Sequence, residues 1–486
     1  MEDTILPGLV LPEHILQPLL DSAKCSTLDD ALESLIKIAR TESGRSELAS
    51  KNTVLVVLEL IRFLLNSLAR CFFLLSLKLL RNLCAGELRN QNSFITNNGV
   101  EVISNVLNSD SDNGIVRTGL QLLGNVSLAG EEHQRLIWLL FFPDQFMEIA
   151  RIRKSEICDP LCMVIYNCCS GSNERVGELC GVQGLRIVEE IIKTASIVGF
   201  GEDWLKWLLS EVCFEEHQFP ALFYQISSDD LIDDLRCENP IFSEEQAFLL
   251  GVLSEVLSQH IDEVSVSYEF AMCVLGILKK AVGSVDFFST GKSALPTGVP
   301  EIDVLGYSLT ILRDVCAKYD PRSSKNEGSI DIVDSMLSSG LLELLLNILR
   351  DLEPPEIIRK SISQNENEDT SRAQDQLKRC PYKGFRRDII AIIGNCSYER
   401  KHAQDEVRQR DGILLLMQQC VIDEDNPFLK EWGTWLSKNL FETNVENSRE
   451  VAELVLQDTV DVPELAKNGL RVMLDPKTRR PKLVNA

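Results

Sequence analysis

Four groups of residues in this chain have the types and spacing from which chemistry could be built. Thr290-Gly291-Lys292-Ser293 ends like a phosphate-binding loop, in which backbone amides cradle phosphates and a lysine meets their charge. The first glycine of such a loop would fall on Asp286, and no strand precedes it, so nucleotide binding is not expected. Cys158, Cys162, Cys168, Cys169 and Cys180 could offer thiolates to a metal. However, Cys162, Ile165 and Cys169 follow an i, i+3, i+7 stripe, the spacing of a helix face packed into a core. The histidines His14, His133, His217, His260 and His402 stand alone, none with a partner at the spacing of a zinc site or a nucleophilic dyad. No catalytic, cofactor-binding or metal-ligating residue is therefore assigned, and the chain reads as a non-enzyme.

The fourth group is a series of asparagines, each near the end of an apolar run: Asn82, Asn125, Asn167, Asn395 and Asn439, with Glu211 and Glu255 in two further copies. A side-chain amide both donates and accepts hydrogen bonds. A row of them could hold the backbone of an extended peptide, or satisfy backbone groups between neighbouring helices. A tryptophan four residues earlier would set a ring beside such an amide, one helical turn away. Trp435 precedes Asn439 in this way and Trp207 precedes Glu211, whereas Lys78, Gln121, Met163 and Ala391 occupy the other rungs. The partner-binding candidates are accordingly Asn82, Asn125, Asn167, Trp207, Glu211, Asn395, Trp435 and Asn439.

The elements that must position these residues form a repeat. Markers at 82, 125, 167, 211 and 255 are separated by 43, 42, 44 and 44 residues, and 395 and 439 by 44. Gly99, Gly184 and Gly412 each follow an asparagine marker by 17 residues, and Gln91, Gln134 and Gln404 follow by nine. The unit reads as a short helix, a glycine turn, a second helix, a polar turn and a long helix ending at the marker. The glycines are read as turn residues with backbone angles closed to other side chains. Asn113, Asp159 and Asn426 are read as helix caps, the last two followed by proline, and Ser243 as a capping box with Gln246. This pattern resembles the armadillo repeat. The expected fold is all-α, an armadillo-like right-handed α-solenoid of about nine to ten repeats.

The register slips three times, at Ser284–Pro300, at Asp320–Gly328 and at Leu352–Lys383. The third surplus is almost without apolar residues from Ser361 to Asp375 and reads as disordered. The expected organisation is an N-terminal repeat array over 1–350, a disordered loop over 351–384, C-terminal repeats over 385–460 and a tail over 461–486. After the last long helix, Val451–Leu456 is expected to fold back as a cap.

With 73 acidic against 49 basic side chains, the net charge is −24, which repels phosphate backbones and disfavours nucleic-acid binding. Charged and polar residues interrupt the apolar stretch Val54–Leu80 at helical spacing, so membrane insertion is not expected. Fifteen cysteines without CxxC pairs, behind an acidic N-terminus, suit a reducing, cytoplasmic setting. The basic segment Lys477–Lys482 would suit a nuclear localisation signal. Acidic residues from Asp229 to Glu238 are read as a solvated face. Other proteins are the expected partners, self-association included.

Residues 392–448 carry a more specific likeness. Gly394-Asn395, Gln404-Asp405, Val407, Asp411-Gly412-Ile413, Asp425-Asn426-Pro427-Phe428, Glu431-Trp432 and Asn439-Leu440 resemble the C-terminal domain of the ataxin-10 family. Cys396 and Ala403 depart from the family pattern without removing a turn or a core element. Phe428 and Trp432, four residues apart, are read as packing on one helix face. The resemblance implies a non-enzymatic armadillo-like protein of the cytosol that acts in cytokinesis and cell survival through protein partners. The alternative is an importin-like transport adaptor that binds basic peptides in a concave groove.

Overall fold

The computed structural model describes residues 11–65, 71–109, 112–226, 241–288, 293–319, 331–358, 378–453, 470–474 and 481–485. The chain forms two compact units, one of residues 1–274 with 298–311, the other of 275–297 with 312–486. Both are stacks of α-helices, and the chain is an all-α solenoid. In the first unit the long third helices Leu28–Ile38, Cys71–Leu83, Asn113–Ser127, Ser155–Cys169, Trp204–Ser210 and Glu244–Gln259 pack in succession, each against the next. In the second, Phe385–Ser397 packs on Leu429–Phe441. Leucine, isoleucine and valine fill the core, and phenylalanines such as Phe94, Phe141, Phe146 and Phe214 close the larger gaps.

Local chemistry sets the helix starts, though not always through the residue expected. Ser243 and Gln246 form a full capping box. Ahead of Asn113–Ser127 the cap is Asp112, whose carboxylate accepts from the Ile115 amide. Asp159 and Pro160 lie inside the helix Ser155–Cys169, and the Asp159 carboxylate accepts instead from the Gly201 and Glu202 amides of the next repeat. Asn426 is buried, accepts from the Arg386 amide and donates to Asp423, while the helix begins only at Leu429. In the latter two cases a polar side chain that could cap its own helix is drawn to a neighbouring segment.

The marker glycines are likewise required for a reason other than turn angles. None of Gly99, Gly184 and Gly412 has a positive φ. Each lies where the second helix presses on the end of the first. A Cβ at Gly99 would fall 2.5 Å from the Phe94 ring, at Gly184 2.1 Å from the Leu179 carbonyl oxygen, and at Gly412 2.9 Å from that of Val407.

The asparagine markers tie successive third helices together. Asn125 Nδ2 donates to the Arg81 carbonyl (2.9 Å), Asn439 to that of Gly394 (2.9 Å), Asn395 to that of Arg313 (3.1 Å) and Asn82 to that of Ile36 (3.3 Å). The acceptors Arg81 and Gly394 each immediately precede a marker position. Asn167 donates to the Ser127 hydroxyl (3.1 Å). Two of the three glutamines nine residues on, Gln91 and Gln404, complete the clamp, whereas Gln134 accepts from Arg175. Gln91 Nε2 donates to the carbonyls of Cys84 and Asn125, and Gln404 Nε2 to those of Ser397 and Asn439, at 2.9–3.0 Å. Several of these bonds, those to Ile36, Arg81 and Gly394 among them, satisfy carbonyls that a helix end leaves without partners.

Three expectations change. Segment 351–384 is not disordered throughout. Leu352 and Tyr382 are buried, the Lys378 amide donates to the Asp351 carbonyl, and the Glu353 amide donates to that of Lys378. The stretch Ser361–Asp375 lies outside the described residues. Because Asn395 clamps onto Arg313, this insertion falls within a repeat, between its second helix Leu341–Asp351 and its third, Phe385–Ser397. Finally, the C-terminal tail is not featureless: Leu470–Leu474 and Pro481–Asn485 pair as an antiparallel hairpin. The expected cap is a helix, Val445–Glu453, packed on Lys401–Gln409, Gly412–Met417 and Leu429–Phe441. Asn447 donates from it to the Leu440 and Gln404 carbonyls, and residues 454–456 lie outside the described residues.

Two stability measurements check this scheme. Asn439→Ala should lower unfolding free energy in urea by about 1–3 kcal/mol, because it orphans a buried carbonyl. Gly184→Ala should cost a similar ~1–3 kcal/mol through overpacking, whereas a glycine needed only for turn angles would tolerate alanine at its ordinary φ.

Candidate protein interface

The clamp decides what the marker residues can offer a partner. Asn167 and Asn439 are buried, and the amide donors of all five asparagines are engaged between repeats. A row of asparagine donors aimed at an extended peptide is therefore absent from the described surface. Asn395 also lines a surface pocket.

Trp207 and Glu211 belong to the first unit. Trp207 is 46% exposed and forms an aromatic cluster with Trp204 and Tyr166, its ring centroid 4.9 Å and 5.9 Å from theirs. Beside it, Glu211 starts a π-helical turn, Glu211–Glu215, that prolongs the third helix. Partial burial raises the Glu211 pKa, and the neighbouring Glu216 and Glu215 raise it further. The other glutamate marker, Glu255, is exposed and pairs with Lys206 at 2.8 Å.

Trp435 stands on a more open aromatic surface in the second unit. The helix Leu429–Phe441 carries Trp432 and Trp435, and Phe428 precedes it as the N-cap. Phe428 adopts φ +67°, a left-handed conformation uncommon for a bulky residue, and its side chain is 68% exposed. Trp435 is 44% exposed, with the Lys438 ammonium 5.3 Å from its ring centre. Asn395, Phe428, Glu431, Trp432 and Trp435 line a shallow pocket of about 440 Å³. Phe428 thus does not pack into the fold as its spacing from Trp432 suggested.

The remaining candidates are placed simply. Cys158, Cys162, Cys168 and Cys169 are buried in the core and Cys180 is half-buried. Burial pushes the thiols of Cys168 and Cys180 up to about 12 and that of Cys169 higher, so they stay protonated. Thr290–Lys292, Asp229–Glu238 and Lys477–Arg480 lie outside the described residues. Among the described residues no single helix is long and apolar enough to cross a membrane.

Comparison with known proteins places the aromatic pocket inside a family domain. The family model described as "Spinocerebellar ataxia type 10 protein domain" matches residues 385–483. Ataxin-10 of Bos taurus is 23% identical over 462 residues, covering 90% of this chain and 86% of that protein. Ataxin-10 of Xenopus tropicalis is 25% identical over 360 residues, covering 73% and 67%. The ataxin-10 homolog of Dictyostelium discoideum is 39% identical over 90 residues, covering 18% and 15%. Among solved structures, a designed armadillo repeat protein in complex with the peptide (KR)4 is 14% identical, with a TM-score of 0.33 over 50% of this chain and 98% of that one. The C-terminal repeats thus match the ataxin-10 family's domain, and the chain as a whole is similar to ataxin-10 proteins along 90% of its length.

Proposed function

We propose that this protein is a non-enzymatic scaffold of the ataxin-10 type, which holds partner proteins on its solenoid surface. The observation that carries the reading is the aromatic face of Phe428, Trp432 and Trp435. A folded chain gains by burying such rings, yet here one of them stands outward on a backbone conformation that ordinarily costs energy. Exposed Trp and Phe beside a charged rim of Glu431 and Lys438 have the make-up of an interface anchor. The cellular process implied by the family resemblance is cytokinesis and cell survival, in the cytoplasm with access to the nucleus. An importin-like adaptor is the weaker reading, because the asparagine donors that would grip a peptide backbone are already committed between repeats.

Replacing Phe428 with Ser and Trp435 with Ala together should reduce capture of partners about tenfold or more. The melting temperature should stay within about 4 °C, since both side chains are largely exposed. Quantitative pull-down with mass spectrometry, set beside a calorimetric scan, makes the comparison. Partner recovery unchanged from wild type would remove this surface as the anchor, and a collapse in melting temperature would show the rings to be core.

A further inference from the structure

One surface of the first unit gathers basic side chains in a chain of net charge −24, although one of them, Arg117, also lines a small pocket with Glu156, Asp159 and Glu202. Arg40 follows the helix Leu28–Ile38, Lys78 and Arg81 lie on Cys71–Leu83, and Arg117 lies on Asn113–Ser127. These three third helices pack side by side. Arg40 and Arg117 are exposed, and Lys78 and Arg81 half-buried. Several other basic side chains are matched by carboxylates: Arg175 by Glu131, Arg400 by Asp331 and Asp334, Arg408 by Asp405. Among the described residues none of these four cations forms an ion pair.

Arg81 is the centre of the group. Its guanidinium is held by neutral oxygens only, Gln121 Oε1 at 2.7 Å and Asn82 Oδ1 at 3.2 and 3.3 Å. Burial lowers its pKa, and the charges of Arg117 and Arg40 lower it further, with no carboxylate acting in the opposite direction. A fold that fixes like charges together in this way is prepared for an anion from outside.

The clamp gives the arrangement a direction. Asn82 binds the Ile36 carbonyl and Asn125 that of Arg81, so Ile36, Arg81 and Gly124 occupy equivalent levels on successive helices. Arg40 lies about one turn beyond that level and Arg117 about two turns before it. The guanidinium-bearing positions therefore form an oblique row, one per helix, roughly 11–14 Å apart once the helix spacing of about 8–10 Å is combined with these offsets. That spacing is too wide for a single phosphate. It suits an extended chain, in which side chains on one side recur about every 7 Å and alternate ones about every 14 Å.

We propose that Arg40, Arg81 and Arg117, with Lys78, bind an extended, carboxylate-rich peptide segment of a partner protein. A long polyanion such as RNA is disfavoured, because the net charge of −24 elsewhere on the chain repels whatever runs past the row. This surface extends the scaffold reading but is separable from the aromatic face, which belongs to the other unit.

The test is fluorescence anisotropy of a labelled octaglutamate peptide with the full chain, at low and at physiological salt. Binding should be measurable at low salt and weaken as salt rises. The variant Arg40→Gln with Arg117→Gln touches only exposed side chains and should weaken binding about tenfold or more. Arg135→Gln, at an arginine paired with Glu132, should leave it unchanged, as should the Phe428→Ser, Trp435→Ala double variant. Circular dichroism should show all three variants folded. The proposal is overturned if octaglutamate does not bind at low salt or if the arginine variant binds as wild type does. It is also overturned if a serine phosphopeptide or a single-stranded oligonucleotide of equal length binds more tightly than octaglutamate.

Discussion

A solenoid has no closed core to hold its ends in register, so each repeat must find its neighbour through its own contacts. Here the constraint is the amide clamp at the ends of the third helices. A helix terminus leaves carbonyls without partners, and in a stack those carbonyls are partly shut off from water. Asn125 and Gln91 between them satisfy the carbonyls of Arg81, Cys84 and Asn125 itself, so two side chains join three helices. Asn439 and Gln404 repeat the arrangement in the other unit with the carbonyls of Gly394, Ser397 and Asn439. Each bond contributes only about 1 kcal/mol net. Their recurrence nevertheless fixes which residue of one helix stands level with which residue of the next.

That division of labour shapes the surface. Arg81 and Gly394, each just before a marker, give their carbonyls to the next repeat, and the side chain at this position differs from repeat to repeat. It is Arg81 in one repeat, Tyr166 in another, Lys438 in the last. The position four before the marker varies as widely, from Lys78 through Met163 to Trp207 and Trp435. Constant polar residues therefore build the stack, and variable neighbours a turn or less away give each stretch its own chemistry: basic near the first helices, aromatic beside acidic side chains near Trp207, aromatic at the C-terminal face.

The period was legible because spacing survives in a linear text. Helix identity, the third helices, the capping box at Ser243 and the packing of Cys162 and Cys169 followed from apolar periodicity and known turn chemistry. What the sequence could not distinguish was which partner a polar group chooses. Asn426 and Asp159 have the type and position of caps, yet each meets a segment about 40 residues away. The marker asparagines fit peptide binding and inter-repeat bonding equally well until the third helices are placed side by side. Phe428 misled for a related reason: spacing says which residues share a helical face, and not whether that face is covered.

The clamp also explains how the chain tolerates a long interruption. Asn395 binds the carbonyl of Arg313, 82 residues earlier in sequence, just as Asn439 binds that of Gly394, 45 residues earlier. In space the two contacts are equivalent, so the extra residues are carried between the second and third helices of one repeat. The ends of the insertion are drawn together where the Lys378 and Glu353 amides donate to the carbonyls of Asp351 and Lys378. They are anchored by Tyr382, whose hydroxyl donates to the buried Asp388 carboxylate, and by Arg386, which donates to the Glu353 carbonyl. Once the ends of a loop are fixed, doubling its length adds only about 0.6 kcal/mol of closure entropy. A repeat protein whose register depends on side-chain amides at helix ends can therefore accept insertions between helices. It cannot as easily accept substitution of the amides themselves, because each serves two neighbouring repeats at once.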